Sequence, residues 1–129
     1  MHLFIQTIII YLEMTRHEES TIQIACVKWF RLQYPDIADL MFAVPNGGKR
    51  NPREAKIMKA EGVTRGVSDL IILVPQKGYA SLCIEMKTKK GTQSKEQKQW
   101  QAKVERWGSK YVVCRDIYSF MKTVKEYFE

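Results

Sequence analysis

Three charged residues stand where an apolar hairpin should not carry them. Asp69 opens the first apolar run of Gly66-Val-Ser-Asp-Leu-Ile-Ile-Leu-Val-Pro75, and Glu85 and Lys87 close Ser81-Leu-Cys-Ile-Glu-Met-Lys87. Side chains alternate along a strand, so Glu85 and Lys87 share a face and Met86 takes the other. In simple hairpin register the start of one strand lies beside the end of the next, which brings Asp69 to Glu85 and Lys87 at one rim of a sheet. Two carboxylates and an ammonium at one place are costly to desolvate unless something compensates. A divalent cation compensates. Magnesium takes one or two carboxylates together with waters and phosphate oxygens. The ammonium is then left to hold an attacking water or a developing charge. The plainer reading has Asp69 capping a strand and Glu85 and Lys87 paired on a solvated face. A bare Glu-x-Lys triplet fits that reading. Joined to an Asp one hairpin earlier, between two apolar strands, it points to catalysis.

The elements that must position these groups can be read from periodicity. Leu70–Val74 and Leu82–Met86 are short Ile/Leu/Val-rich runs, the pattern of strands buried on both faces. Pro75-Gln-Lys-Gly-Tyr79 supplies the turn between them. Upstream, Thr15 to Tyr34 reads as a helix with Ile22, Ala25, Cys26, Trp29 and Leu32 on one apolar face. Glu18 and Glu19 fall near its first turn, where carboxylates suit the helix dipole; alternatively Glu19 reaches the acidic site. Pro35 ends this helix. Leu40–Val44 is a strand, and Pro45-Asn-Gly-Gly-Lys-Arg-Asn-Pro52 is a loop whose glycines allow a phosphate to come close. Arg53 to Glu61 is a short helix with Gly62 at its end.

Beyond the hairpin, Thr88 to Gln93 is a polar loop. Ser94 and Gln97 have capping-box spacing for a helix whose apolar positions are Trp100, Val104 and Trp107. Tyr111–Cys114 is the fourth strand. Asp116 caps a last helix with Ile117, Phe120, Met121, Val124 and Phe128 buried. The order is α-β-α-β-β-α-β-α. It implies an α/β domain over 15–129, with a four-stranded mixed sheet flanked by helices. Residues 1–14 form an N-terminal extension of unknown role, too short in its apolar part to span a bilayer. No membrane association is expected.

The formal net charge is +7 and the pI about 9.4, which favours an anionic partner, nucleic acid first. Lys49, Arg50, Arg53, Lys56, Lys59 and Arg65 form one basic group. Lys87, Lys89, Lys90, Lys95 and Lys98 form another, so both flank the proposed site. Cys26, Cys83 and Cys114 are widely spaced and near no histidine pair. That argues against zinc and disulfides, for buried thiols, and for a reducing cytosol or nucleoid.

The order of elements and the Asp69…Glu85-x-Lys87 constellation resemble the PD-(D/E)XK nuclease superfamily. The finer pattern is similar to its virus-type replication-repair nuclease branch, VRR-NUC. The matching residues are Glu19 with Ile22-Gln23, Pro45-Asn-Gly-Gly-Lys-Arg50, Gly62-Val-Thr-Arg-Gly-Val-Ser-Asp-Leu70, Ile84-Glu-Met-Lys-Thr88, Gln93-Ser94, Gln97 to Trp100, and Tyr111–Cys114. Ser68 stands where the superfamily name has proline, a position that binds nothing.

The resemblance implies a restriction-endonuclease-like core and metal-dependent hydrolysis of DNA phosphodiesters. It implies Mg²⁺ or Mn²⁺ on Asp69, Glu85 and the Met86 carbonyl, with Lys87 as the water-positioning group. Glu19 matches the family's acidic residue on the first helix, and Gln97 a glutamine beside the active site. Asn46, Lys49, Arg50, Arg53, Lys56, Arg65, Lys89 and Lys90 would contact the nucleic-acid backbone without reading bases. Members of this length resemble homodimeric endonucleases acting on branched DNA, four-way (Holliday) junctions in particular. This implies replication or repair of phage or mobile elements, in the cytoplasm of a bacterial or phage-infected cell. Readings from other classes are a non-catalytic nucleic-acid-binding or assembly module and a flap or single-strand nuclease. A pure phosphate binder, however, has no use for Asp69 and Glu85 beside its cations.

Overall fold

The computed structural model describes residues 5–6, 18–45 and 51–129. Most of the 1–14 extension, the start of the first helix at Thr15, and Asn46, Lys49 and Arg50 lie outside the described residues. Among the described residues no helix is long and apolar enough to cross a membrane.

The expected hairpin is the centre of the sheet. Strands β2 (Leu70–Ile72) and β3 (Leu82–Met86) run antiparallel with Leu70 opposite Ile84 and Ile72 opposite Leu82. Their connection tightens at Lys77 and Gly78, both at positive φ (51° and 85°), between the mutually bonded Gln76 and Tyr79. Two consecutive left-handed residues give the turn whose twist matches that of the flanking strands. β3 is buried along its whole length.

The earlier strand β1 (Met41–Ala43) is shorter than its apolar run and pairs antiparallel with β2, Met41 opposite Ile72. β4 (Lys110–Cys114) joins β3 in parallel, so the order β1-β2-β3-β4 is the expected mixed sheet. Parallel neighbours need a crossover. It is supplied by a helix at Lys95–Arg106, which begins with the Ser94–Gln97 capping box.

The remaining helices are α1 (Glu18–Gln33), α2 (Pro52–Ala60) and α4 (Ile117–Phe128), and the crossover is α3. α1 and α4 meet over one sheet face through Trp29–Phe120 and Tyr34–Phe128 ring contacts. There they enclose Cys26, Phe30, Leu70, Ile72, Leu82, Ile84, Met86, Cys114, Phe120 and Val124. α3 lies by β4, with Trp100 against Tyr111. Each large apolar side chain fully buried here contributes about 1.5–3 kcal/mol. That surplus lets β3 carry a buried carboxylate, which costs several kcal/mol.

Three positions differ from the periodic reading. Leu73, in the run expected to be buried on both faces, is 54% exposed, because β2 ends at Ile72. Leu32 is 84% exposed, whereas Phe30 is wholly buried. Phe30, Ile22, Cys26 and Trp29 share one arc of α1, which leaves Leu32 at its edge. A short, tightly wound helix at Pro35–Leu40 then carries the chain to β1. Trp107 is 80% exposed. It is the C-cap of α3, at φ −96° and ψ 15°, so the helical spacing that turns Trp100 and Val104 inward no longer applies. All three cysteines are buried and free.

Candidate active site

The β2–β3 register, continued one step, sets Asp69 opposite Glu85. Asp69 is tied to both neighbouring strands. Its carbonyl accepts from Val44 N at 2.9 Å, and its Oδ2 accepts from Met86 N at 2.7 Å. Met86 itself turns to the apolar side and is buried. Ser68 is buried and donates to Leu70 O at 3.1 Å, satisfying its hydroxyl locally.

Glu85 is 1% exposed. Its Oε1 accepts from Gln97 Nε2 at 3.1 Å and stands 3.8 Å from Lys87 Nζ. The two β3 side chains thus share a face, as alternation requires. As a carboxylate, Glu85 leaves Oε2 buried without a hydrogen-bond partner. Burial pushes its pKa up to about 8. The hydrogen bond that its protonated form makes to Asp69, and the Asp69 charge, push the same way, while Lys87 opposes them. Such an oxygen is satisfied either by a proton shared with Asp69 or by a cation.

Glu19 lies at the exposed start of α1, on an opening of about 330 Å³ formed with Ser20, Gln23 and Ile24. Its pKa is raised by partial burial and by the Asp69 charge, and lowered by Lys87. The helix start therefore faces the strand-end cluster. Gln97 is held at both ends of its amide. Oε1 accepts from Ser94 N at 2.8 Å while Nε2 donates to Glu85, which fixes the amide orientation. One residue closes the cap of α3 and holds the buried carboxylate. Among the described residues no three His, Cys, Asp or Glu side chains gather as a complete metal cage. A set of two carboxylates and a main-chain carbonyl needs none.

The VRR-NUC domain family model matches residues 17–116, which span every one of these groups. The chain belongs to the VRR-NUC family. A solved structure described as a VRR_NUC domain protein is 25% identical. It superposes with a TM-score of 0.74 over 84% of this chain and 86% of that one. No curated protein matches the chain. VRR-NUC domains are nucleases, so the chemistry belongs to the hydrolases.

Two residues of this VRR-NUC domain position the site without being marked for it by the sequence. Gly66, at φ +84°, packs on the first turn of α3. A Cβ there would overlap the Glu96 carbonyl and come within 2.9 Å of Gln97 N. The paired glycines of Gly62–Gly66 signal flexibility; the actual demand at Gly66 is close backbone approach. Arg115, just past β4, sends Nη1 to the carbonyls of Thr88 and Gly91, each at 2.7 Å, with that of Lys89 at 3.4 Å. It thereby holds the loop that follows Lys87. Nothing in the local pattern marks it, because its partners are main-chain atoms 24 to 27 residues away.

Of the expected backbone-contacting cations, Arg53 and Lys56 are exposed on α2, Arg65 is exposed before Gly66, and Lys89 and Lys90 are exposed on the loop that Arg115 holds.

Proposed function

We propose that this protein is a metal-dependent DNA endonuclease with Asp69, Glu85 and Lys87 as its reacting centre. The observation that carries the proposal is the buried, unpartnered Glu85 Oε2 beside Asp69 at the end of two strands. Gln97 and Lys87 take up Oε1 alone, which leaves Oε2 open to a cation shared with Asp69. Asp69, Glu85 and the Met86 carbonyl would hold Mg²⁺ or Mn²⁺, a hard-oxygen set suited to either ion. The ion would polarise the scissile phosphate and lower the pKa of the attacking water.

The chain supplies the rest. Lys87 presents an ammonium whose side chain is 15% exposed, open enough to meet substrate. It orients the water and offsets charge on the phosphate oxygens. Gln97 keeps Glu85 in its rotamer. Glu19 holds the open side as a further acidic group. Arg53, Lys56, Arg65, Lys89 and Lys90, with Asn46, Lys49 and Arg50, position the DNA backbone.

The substrate class proposed is branched DNA, four-way junctions first, cut by a homodimer. The short edge strand β1, with Leu40 and Phe42 each 39% exposed and Leu73 54% exposed, is a surface that a second copy could cover. The test sets a labelled junction, a flap and a linear duplex of the same sequence against the protein with Mg²⁺ or Mn²⁺. Cutting confined to the junction supports the full reading. Equal cutting of all three discards the junction preference. Tight binding without cutting in either metal returns the chain to the binding-module class.

A further inference from the structure

The solvent face of α3 carries four cations, with the exposed Glu96 and Glu105 at its two borders. Residues 95, 98, 99, 102, 103 and 106 fall on one side at helical spacing, and all six are exposed. Gln97, Trp100, Gln101 and Val104 are partly buried on the other side. The exposed side carries Lys95, Lys98, Lys103 and Arg106. Helix electrostatics explains Lys103 and Arg106, which lie in the last turn beside the negative dipole end. It opposes Lys95 and Lys98, which stand at the positive end. Neither is offset by an ion pair: the ion pairs among the described residues are Glu85–Lys87 and Lys122–Glu126. Glu96 shares that first turn but pairs with neither lysine, and cations placed against the dipole and held in no ion pair point to an outside anion.

This face has a direction. It starts at the turn that bears Gln97, hence at the candidate active site. It ends at Trp107, roughly ten residues and about 15 Å further on. There the 80%-exposed indole borders a cleft of about 420 Å³ formed with the 75–80 turn and Gly108. Arg106 lies over the indole at 5.9 Å, and Lys110 over Tyr79, another cleft residue, at 5.4 Å. An exposed ring with guanidinium and ammonium groups beside it can stack a base while the cations meet the flanking phosphates.

We infer that α3 is the track along which the DNA strand leaves the cutting centre, and that Trp107 stacks an unpaired base at its far end. This rests on the nuclease reading. At about 3.4 Å per nucleotide along one strand, the separation corresponds to about four or five nucleotides from the cut.

The experiment measures binding in EDTA, where no cutting competes. The probes are a labelled duplex with a single-stranded extension and a blunt duplex of equal length. Trp107→Ala should weaken binding of the extended probe by on the order of tenfold and leave the blunt duplex within about twofold. Trp107→Phe, which keeps a ring, should restore most of that affinity. Replacing Lys95, Lys98, Lys103 and Arg106 by Gln should weaken both probes. It should also flatten the dependence of log affinity on log salt by about 0.9 for each phosphate that the variant no longer neutralises. All five positions are on the surface, so thermal melting should be little changed and separates a binding defect from a folding defect. Wild-type affinity and salt slope in every variant would overturn the track and leave the nuclease standing. A wild-type protein that neither binds these probes nor cuts any DNA would bring down both.

Discussion

Replacing Glu85 by Gln should stabilise the metal-free protein near neutral pH while removing its activity. The magnitude follows from the buried carboxyl. Its pKa rises from 4.5 to about 8 on folding, from burial first and then from Asp69. The folded protein therefore holds a proton that the unfolded chain gives up between those values. That contribution is complete below pH 4.5 and is lost as pH rises through 8, by at most about 1.4 kcal/mol per unit. At pH 7.5 wild-type protein in EDTA has lost on the order of 4 kcal/mol. Allowing for relaxation around the site, about 2–4 kcal/mol is expected.

Gln has nearly the same volume, retains an acceptor for Gln97 and does not ionise. Glu85→Gln should thus melt roughly 5–15 °C above wild type at pH 7.5 in EDTA. The two should converge near pH 5. Saturating Mn²⁺ should raise only the wild type, by about 2.7 kcal/mol at a hundred times its dissociation constant. Melting curves at pH 5, 6.5 and 8, with and without metal, contain the whole comparison. A wild type whose melting temperature is flat across that range in EDTA, or a Gln variant less stable at pH 8, would refute the reasoning.

Other expectations follow from the supporting residues. Gly66→Ala should cost about 2–4 kcal/mol in urea unfolding, because a Cβ at positive φ also collides with the α3 backbone. Gly62→Ala, at φ +105° but in open space, should cost only about 1 kcal/mol. Arg115→Ala should lower the cleavage rate about tenfold while shifting stability by under about 1 kcal/mol, since it frees an exposed loop. Arg115→Lys should restore part of the loss, because all three carbonyls are reached from one nitrogen, Nη1, whose place an ammonium can take. Gln97→Ala should cost about 1–2 kcal/mol by removing the cap and the carboxylate bond, and slow cleavage more than it changes DNA binding.

The parts of the fold legible in the sequence are those governed by local rules. Two apolar runs and a Lys-Gly turn specify the β2–β3 pairing, and strand alternation puts Glu85 and Lys87 on one side. Ser94 and Gln97 announce the start of α3, and Asp116 that of α4. What stays hidden depends on neighbours distant in sequence. Helical spacing cannot choose between Leu32 and Phe30, because the aromatic cluster with Tyr34 settles which side of α1 is buried. It cannot tell that the helix ends one residue before Trp107. The Gly66 approach to α3 and the Arg115 clamp join segments that no periodicity links. Gln97 is visible as a cap and, through family resemblance, as a site neighbour. Only the three-dimensional arrangement shows both roles in one amide.

The most direct test of the account is cleavage of a labelled four-way junction by wild type and Lys87→Ala, each in Mn²⁺ and in EDTA, with DNA affinity measured alongside. Wild type should cut in Mn²⁺ and not in EDTA. Lys87→Ala should bind the junction within about threefold of wild type yet cut at least about a hundredfold more slowly. Cutting that survives EDTA, or a Lys87→Ala protein that cuts at the wild-type rate, would contradict the placement of the chemistry at Asp69, Glu85 and Lys87.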